Sequence, residues 1–160
     1  MVRHLFLDLE DTVITPVIEE WATAELINVQ KILNFIHDYN PDTLNIFSFA
    51  LHNDFELNGF RNSGTQMMIE RVFNTNLIRM PTVEYMIDIF TKHMRLGQGS
   101  VDFIDFTHMV GKQNAFRIYV KEIGRNHDEF ILLDDVVFRE KFSFTNASGE
   151  IFNIDGDVDD

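Results

Sequence analysis

The sequence predicts an α/β fold, a three-layer α/β/α arrangement in which helices cover both faces of a parallel sheet. The first observation is a set of three short apolar runs, at residues 4–9 (HLFLDL), 44–50 (LNIFSFA) and 129–133 (EFILL). Such runs are typical of parallel strands that are buried on both faces. The second observation is a helical pattern between the first two runs, because a strand–helix–strand crossover makes the two strands parallel.

The first fifty residues supply this β-α-β unit. After the strand at 4–9, Thr15-Pro16 offer a helix cap and a first-turn proline. Apolar residues recur at helical spacing over residues 21–37, which predicts an amphipathic helix. Residues 40–42 (NPD) end this helix before the strand at 44–50.

The remaining elements are three helices and a hairpin. Helical patterns cover residues 63–74, 83–96 and 113–123, the last with Gly124 as C-cap. Residues 97–100 (GQGS) predict a loop. After the strand at 129–133, residues 142–144 and 150–154 predict short strands joined by a turn at 146–149 (NASG).

The length of 160 residues fits one domain with a substantial core. We therefore expect a single domain over residues 1–160, whose acidic end at 154–160 is frayed.

Composition restricts the possible functions. The chain has no cysteine, which excludes disulfides, thiolate catalysis and zinc–thiolate sites. Its net charge of −13 disfavours broad binding to nucleic acids and to anionic membranes, and favours cations or a protein partner with a basic surface. The start of the chain does not resemble a signal peptide, and no apolar run approaches the ~20 residues that span a bilayer, so we expect a cytoplasmic protein.

Polar side chains cluster where the predicted strands end. Asp8 and Glu10 end the first strand, Ser48 the second, and Asp134 with Asp135 a later one; Lys112 precedes the helix that leads into that later strand. Ligands of an open parallel sheet collect at the carboxyl ends of its strands. Clustered carboxylates repel one another unless a cation joins them, and all-oxygen ligation suits Mg²⁺.

These residues resemble the four motifs of the haloacid dehalogenase superfamily, in the order in which that family has them. Residues 8–12 (DLEDT) resemble the first motif, aspartate-x-aspartate-x-threonine after a hydrophobic strand. Phe47-Ser48 resembles the second, Lys112 the third, and residues 130–135 (FILLDD) the fourth, a hydrophobic strand closed by paired acids. The resemblance covers residues 4 to about 137. It implies a Rossmann-like fold of the haloacid dehalogenase type.

The resemblance also implies a role for each matching position. Asp8 is the nucleophile that forms an aspartyl-phosphate, and Ser48 and Lys112 hold the transferring phosphoryl group. Asp8, the backbone carbonyl of Glu10, and Asp135 bind Mg²⁺, with Asp134 close by.

Glu10 departs from the family pattern. The second acid of the first motif is normally the aspartate that acts as general acid and base, and glutamate is one methylene longer. A displacement of about 1 Å can cost on the order of 10²-fold in rate. If length is the only defect, Glu10→Asp restores the usual reach; if the backbone has adapted to glutamate, the substitution slows the enzyme.

The expected function is that of a magnesium-dependent phosphatase, which acts on a phosphorylated small molecule or macromolecule. We expect no full cap domain and at most a small helical insert near residues 52–64 or 97–111, which in the family goes with an open site. The first alternative is a domain of this fold that has lost turnover and binds a protein partner. The second is a flavodoxin-like receiver domain, which also uses acids, a hydroxyl and a lysine, but whose phosphorylated Asp ends the middle strand.

Overall fold

A computed structural model describes residues 1–135 and 139–156. Five strands form one sheet: β1 Arg3–Leu7, β2 Thr43–Ile46, β3 Asp128–Asp134, β4 Glu140–Ser143 and β5 Ala147–Asn153. Their spatial order is β2-β1-β3-β5-β4. Neighbouring strands are parallel from β2 through β1 and β3 to β5, and β4 pairs with β5 in the antiparallel sense at one edge. The predicted α/β class with a mostly parallel sheet is confirmed.

Six helices accompany the sheet: α1 Val29–Tyr39, α2 Asp54–Asn62, α3 Thr65–Phe73, α4 Val83–His93, α5 Phe103–Asp105 and α6 Gly111–Ile123. A π turn at Phe106–Val110 joins α5 to α6, and a 3-10 turn occupies Trp21–Thr23. Helices therefore occur in both windows in which the sequence suggested an insert, α2 in the first and α5 with the π turn in the second. No helix of the described ranges is both long and apolar enough to cross a membrane.

Successive side chains of β1 contribute to two apolar clusters, one on each face of the sheet. Leu5 and Leu7 of β1 pack with the apolar residues of α1, α2 and α3. Phe6, between them, packs on the other side with α4 and α6. This follows from the strand geometry, because successive side chains point to opposite faces. Helices thus cover both faces, an arrangement compatible with a three-layer fold.

The helix predicted over residues 21–37 was wrong over its first half, residues 21–28. The α-helix begins at Val29, and residues 25–27 pair with the segment that follows β1. The Thr15 N–H donates to the Glu25 carbonyl, and Asn28, in the left-handed region (φ 54°), donates its side-chain amide to the Thr12 carbonyl. The apolar residues in this part of the chain therefore belong to a loop and not to a helix.

The predicted hairpin exists, but its turn lies earlier in the chain than expected. β5 begins at Ala147, so residues 147–149 belong to a strand and the turn spans residues 144–146. The Asn146 side-chain amide donates to the carbonyls of Lys121 and Gly124, which fixes the turn against the end of α6. The parallel pairing of β5 with β3 begins at Ala147 opposite Asp128. Residues 147–149, which the sequence assigned to the turn, are therefore part of β5.

Both edges of the sheet are occupied or short. Beside β2, Ile46 donates to the Arg79 carbonyl and Ile78 donates to the Leu44 carbonyl, so residues 77–79 cover that edge. The other edge is β4, four residues long, with exposed or half-exposed charges at Glu140 and Lys141.

The end of the described chain packs under the sheet. Ile154, the first residue of the expected acidic tail, is buried, and its N–H donates to the Asp134 carbonyl at 2.7 Å. Residues 157–160 of that tail lie outside the described residues.

Candidate active site

Hydrogen bonds align the ends of three neighbouring strands. The register sets Leu7 of β1 opposite Ile46 of β2 and Leu133 of β3. Just beyond, the Asp8 N–H donates to the Leu133 carbonyl at 3.0 Å, and the Phe47 N–H donates to the Leu7 carbonyl at 2.9 Å. Asp8, Ser48 and Asp134 therefore stand at the same edge of the sheet.

The Lys112 ammonium joins two of these strand ends. Its Nζ lies 2.8 Å from Asp8 Oδ1 and 2.9 Å from Asp134 Oδ2. The Asp134 side chain is fully buried, and those of Asp8 and Lys112 are each only 10 % exposed. Burial lowers the pKa of Lys112, but the charges of Asp8 and Asp134 outweigh it, so the pKa lies above its ordinary value. The lysine is therefore a buried cation between two carboxylates.

The position of Lys112 is unfavourable for the helix that carries it. It is the second residue of α6, where the partial positive charge of the helix dipole opposes an ammonium. Gly111 before it has φ 80°, a conformation that only glycine adopts readily, and this turns the chain from the π turn into α6. The two carboxylates compensate locally for a placement that the helix itself does not favour.

Asp135 adds a third carboxylate. One oxygen each from Asp8, Asp134 and Asp135 lies within 4.8 Å of the others. Burial, followed by the charges of Asp8 and Asp134, raises the pKa of Asp135 to about 7. With one ammonium against three acids, the cluster carries excess negative charge that a cation would neutralise.

The separation of these acids fits a small divalent cation. Oxygens bound to one Mg²⁺ at about 2.1 Å lie roughly 3 to 4 Å apart. The three oxygens within 4.8 Å of one another reach that spacing with movements below about 1 Å. The donor set is entirely oxygen, which suits Mg²⁺ better than a soft transition metal.

Ser48 lies at the same edge, where its hydroxyl oxygen bonds to the backbone. Its side chain is buried, and Oγ accepts a hydrogen bond from the Ala50 N–H at 3.1 Å. Because the oxygen accepts, the hydroxyl proton remains available to an anion that enters this edge.

Glu10 is held apart from the three aspartates. Its Oε2 accepts a hydrogen bond from the Val17 N–H at 2.7 Å. Among the described residues, the cluster of carboxylates within 4.8 Å comprises the aspartates and does not include Glu10. The expected part of Glu10 in a metal site concerned its backbone carbonyl and stays a prediction.

Two contacts of the site did not follow from the sequence reasoning. Thr12, fully buried, donates its hydroxyl to Asp8 Oδ2 at 3.4 Å, and its place in the DLEDT motif was the signal for it. The Phe49 ring centroid lies 5.3 Å from Lys112 Nζ, a cation–π distance. Phe49 carries no motif of its own, and only its position next to Ser48 indicates proximity to the site.

No protein-family model, curated protein or solved structure matches this chain. A buried ammonium, three acids and a hydroxyl lie at one edge of the parallel sheet, and together they can bind a cation and an anionic group.

Proposed function

We propose that this chain is a magnesium-dependent phosphatase of the haloacid dehalogenase type, with Asp8 as nucleophile. The observation that carries the proposal is the Lys112 ammonium between Asp8 and Asp134, next to the third acid, Asp135. A site for phosphoryl transfer needs a nucleophile, a fixed positive charge for the phosphoryl oxygens and acids to hold a metal. Each of these groups has a counterpart among the residues at this edge.

In the proposed reaction, an Asp8 carboxylate oxygen attacks the phosphorus of a phosphomonoester. The bond between phosphorus and the ester oxygen breaks, and Glu10 gives a proton to the departing alcohol. Water then attacks the phosphorus of the aspartyl-phosphate while Glu10 accepts its proton, which releases phosphate and restores Asp8. Lys112 and the Ser48 hydroxyl hold the phosphoryl oxygens through both steps.

Asp8, Asp135 and the Glu10 carbonyl would hold Mg²⁺, with Asp134 close by. When bound, the ion neutralises part of the phosphoryl charge and orients the substrate. Burial, followed by repulsion from Asp8 and Asp134, raises the pKa of Asp135, so these aspartates would favour a cation between them.

Hydrolysis of an aryl phosphate, with Mg²⁺ and with a chelator, tests the proposal. We expect turnover that needs Mg²⁺ and that Asp8→Asn abolishes, because an amide is not a nucleophile. Asp38→Asn is the matched control, since Asp38 is an exposed acid at the end of α1 that pairs with His37. Full activity of Asp8→Asn, or loss of activity in the control as well, would contradict the assignment.

The alternative of a domain that binds a partner without turnover is favoured by one observation, the engagement of Glu10 with Val17. That alternative predicts no hydrolysis by wild type or Glu10→Asp, and no binding of beryllofluoride at Asp8. The receiver alternative is weakened by the strand order, because receivers follow the parallel order 2-1-3-4-5 whereas here an antiparallel β4 lies outside β5.

A further inference from the structure

A groove of about 490 Å³ lies between the segment at residues 17–22 and α2. The two segments that form the groove both follow strands that end at the edge of the sheet with the aspartate cluster. The first follows β1 and is fixed by the Val17 N–H on Glu10, and the second begins shortly after Ser48. None of the three acids is among the described residues that line the groove, and the proposed chemistry does not use it.

The floor of this groove is preformed by Trp21. The indole is buried and packs edge-to-face on Phe60, with ring centroids 5.5 Å apart, and its Nε1–H donates to Glu56 Oε2 at 3.0 Å. It lies directly on the backbone of α2, because a Cβ at Gly59 would come within 2.6 Å of Trp21 Cδ1. The Thr65 hydroxyl donates to the Trp21 carbonyl, which fixes the other side of the residue.

The rim combines exposed apolar surface with negative charge. Phe55, which lines the groove, is 81 % exposed, and Ile18 on the opposite segment is 87 % exposed. Glu19, Glu20 and Glu56 also line the groove, and none of its described lining residues is a lysine or an arginine. Exposed apolar side chains beside a groove offer surface that a ligand gains by covering, and these acids favour a cationic ligand.

We propose that this groove binds a polypeptide segment that carries large apolar side chains next to lysine or arginine. The apolar groups would cover Phe55 and the Trp21 floor, and the cationic groups would pair with Glu19 and Glu20. The side-chain amides of Asn58 and Asn62, which also line the groove, supply donors and acceptors for a peptide backbone. Nucleic acids and anionic lipids do not fit, since the acids repel their phosphates.

Trp21 makes the proposal directly measurable, because it is the single tryptophan of the chain. The probe is a ten-residue peptide that alternates Arg with Phe and Leu and contains no Trp or phosphate. One control peptide has Ser in place of Phe and Leu, and a second has Glu in place of Arg. Binding does not require turnover, so the result is independent of the phosphatase proposal.

We expect the emission of Trp21 to change and saturate with the first peptide and to stay unchanged with both controls. Glu19→Gln with Glu20→Gln should weaken binding by about tenfold at low salt, the sum of two exposed ion pairs. Phe55→Ser should weaken it similarly. The matched variants are Glu84→Gln with Asp88→Asn, two exposed acids of α4, and Met109→Ser, which removes a side chain also 81 % exposed. These should bind like wild type.

Hydrogen exchange gives an independent readout of the location. The bound peptide should protect amides within 17–22 and 54–62 more than those of α4. The proposal would be overturned by any of three results. These are an unchanged Trp21 emission at millimolar peptide, equal binding of the control peptide with Ser in place of Phe and Leu, and equal weakening by the α4 variants. Equal saturation by a small amphipathic cation such as a phenylalkylamine would overturn the assignment of the ligand as a polypeptide.

Discussion

Glu10→Asp shortens the acid that departs from the haloacid dehalogenase motif that the sequence resembles, and the structure gives the size of the effect on stability. Glu10 Oε2 lies 2.7 Å from the Val17 nitrogen. Removing one methylene withdraws the carboxylate by about 1.5 Å, so the separation becomes about 4 Å, beyond hydrogen-bond range. A hydrogen bond to a charged group contributes about 1.5 to 3 kcal/mol. Since Glu10 is partly exposed, we expect a loss in the free energy of unfolding near the lower value.

For a chain of this length, a loss of about 1.5 kcal/mol corresponds to a fall in Tm of about 3 to 6 °C. The Gln variant separates this structural role from the chemical one. Glu10→Gln keeps an oxygen that accepts from Val17, so its Tm should stay close to that of wild type. Its kcat should nevertheless fall by about 10²- to 10⁴-fold, because an amide cannot act as acid and base.

Thermal unfolding and aryl phosphate hydrolysis are measured on the same preparations, with Glu25→Asp as the control for shortening an exposed glutamate in the same segment. The backbone bond at Val17 indicates a loop adapted to glutamate, so Glu10→Asp should also slow turnover, by about 10²-fold. A Glu10→Asp variant that is as stable as wild type and faster would refute this reasoning. It would mean that length alone limits the acid.

Three further predictions follow from the site and the groove. Millimolar Mg²⁺ should raise Tm measurably in differential scanning fluorimetry, and Asp135→Asn should lose most of that rise; equal shifts in both proteins would count against the metal site. Lys112→Met should lower the free energy of unfolding in urea by about 3 to 5 kcal/mol, because it leaves buried carboxylates without their cation. Gly59→Ala should lower it by about 1 to 2 kcal/mol despite better helix propensity, and should shift the emission of Trp21, since the new methyl displaces the indole; an unshifted emission spectrum would contradict this packing.

The residues at the strand ends were predictable, because the carboxyl ends of parallel strands meet at one edge of the sheet. Asp8 and Asp134 are far apart in sequence, yet each follows or ends a continuous apolar run, and the structure brings both to the Lys112 ammonium.

The segment after β1 was not predictable from periodicity. Ala22 and Leu26 both fit a helical period, but Leu26 lies in a loop that pairs with Ile14, and Ala22 is exposed in the 3-10 turn. The partner of Glu10 was hidden for a related reason. It is a backbone N–H at Val17, and no side-chain pattern reports where a backbone donor points.

The two edges of the sheet restrict how this chain can meet other proteins. Residues 77–79 already hydrogen-bond along β2, and β4 is short and carries Glu140 and Lys141. An incoming strand therefore finds no long free ladder of N–H and C=O groups to extend, which disfavours both strand-addition complexes and edge-to-edge aggregation. Recognition of a peptide is left to side-chain surfaces, where specificity can change one residue at a time without disturbing the sheet.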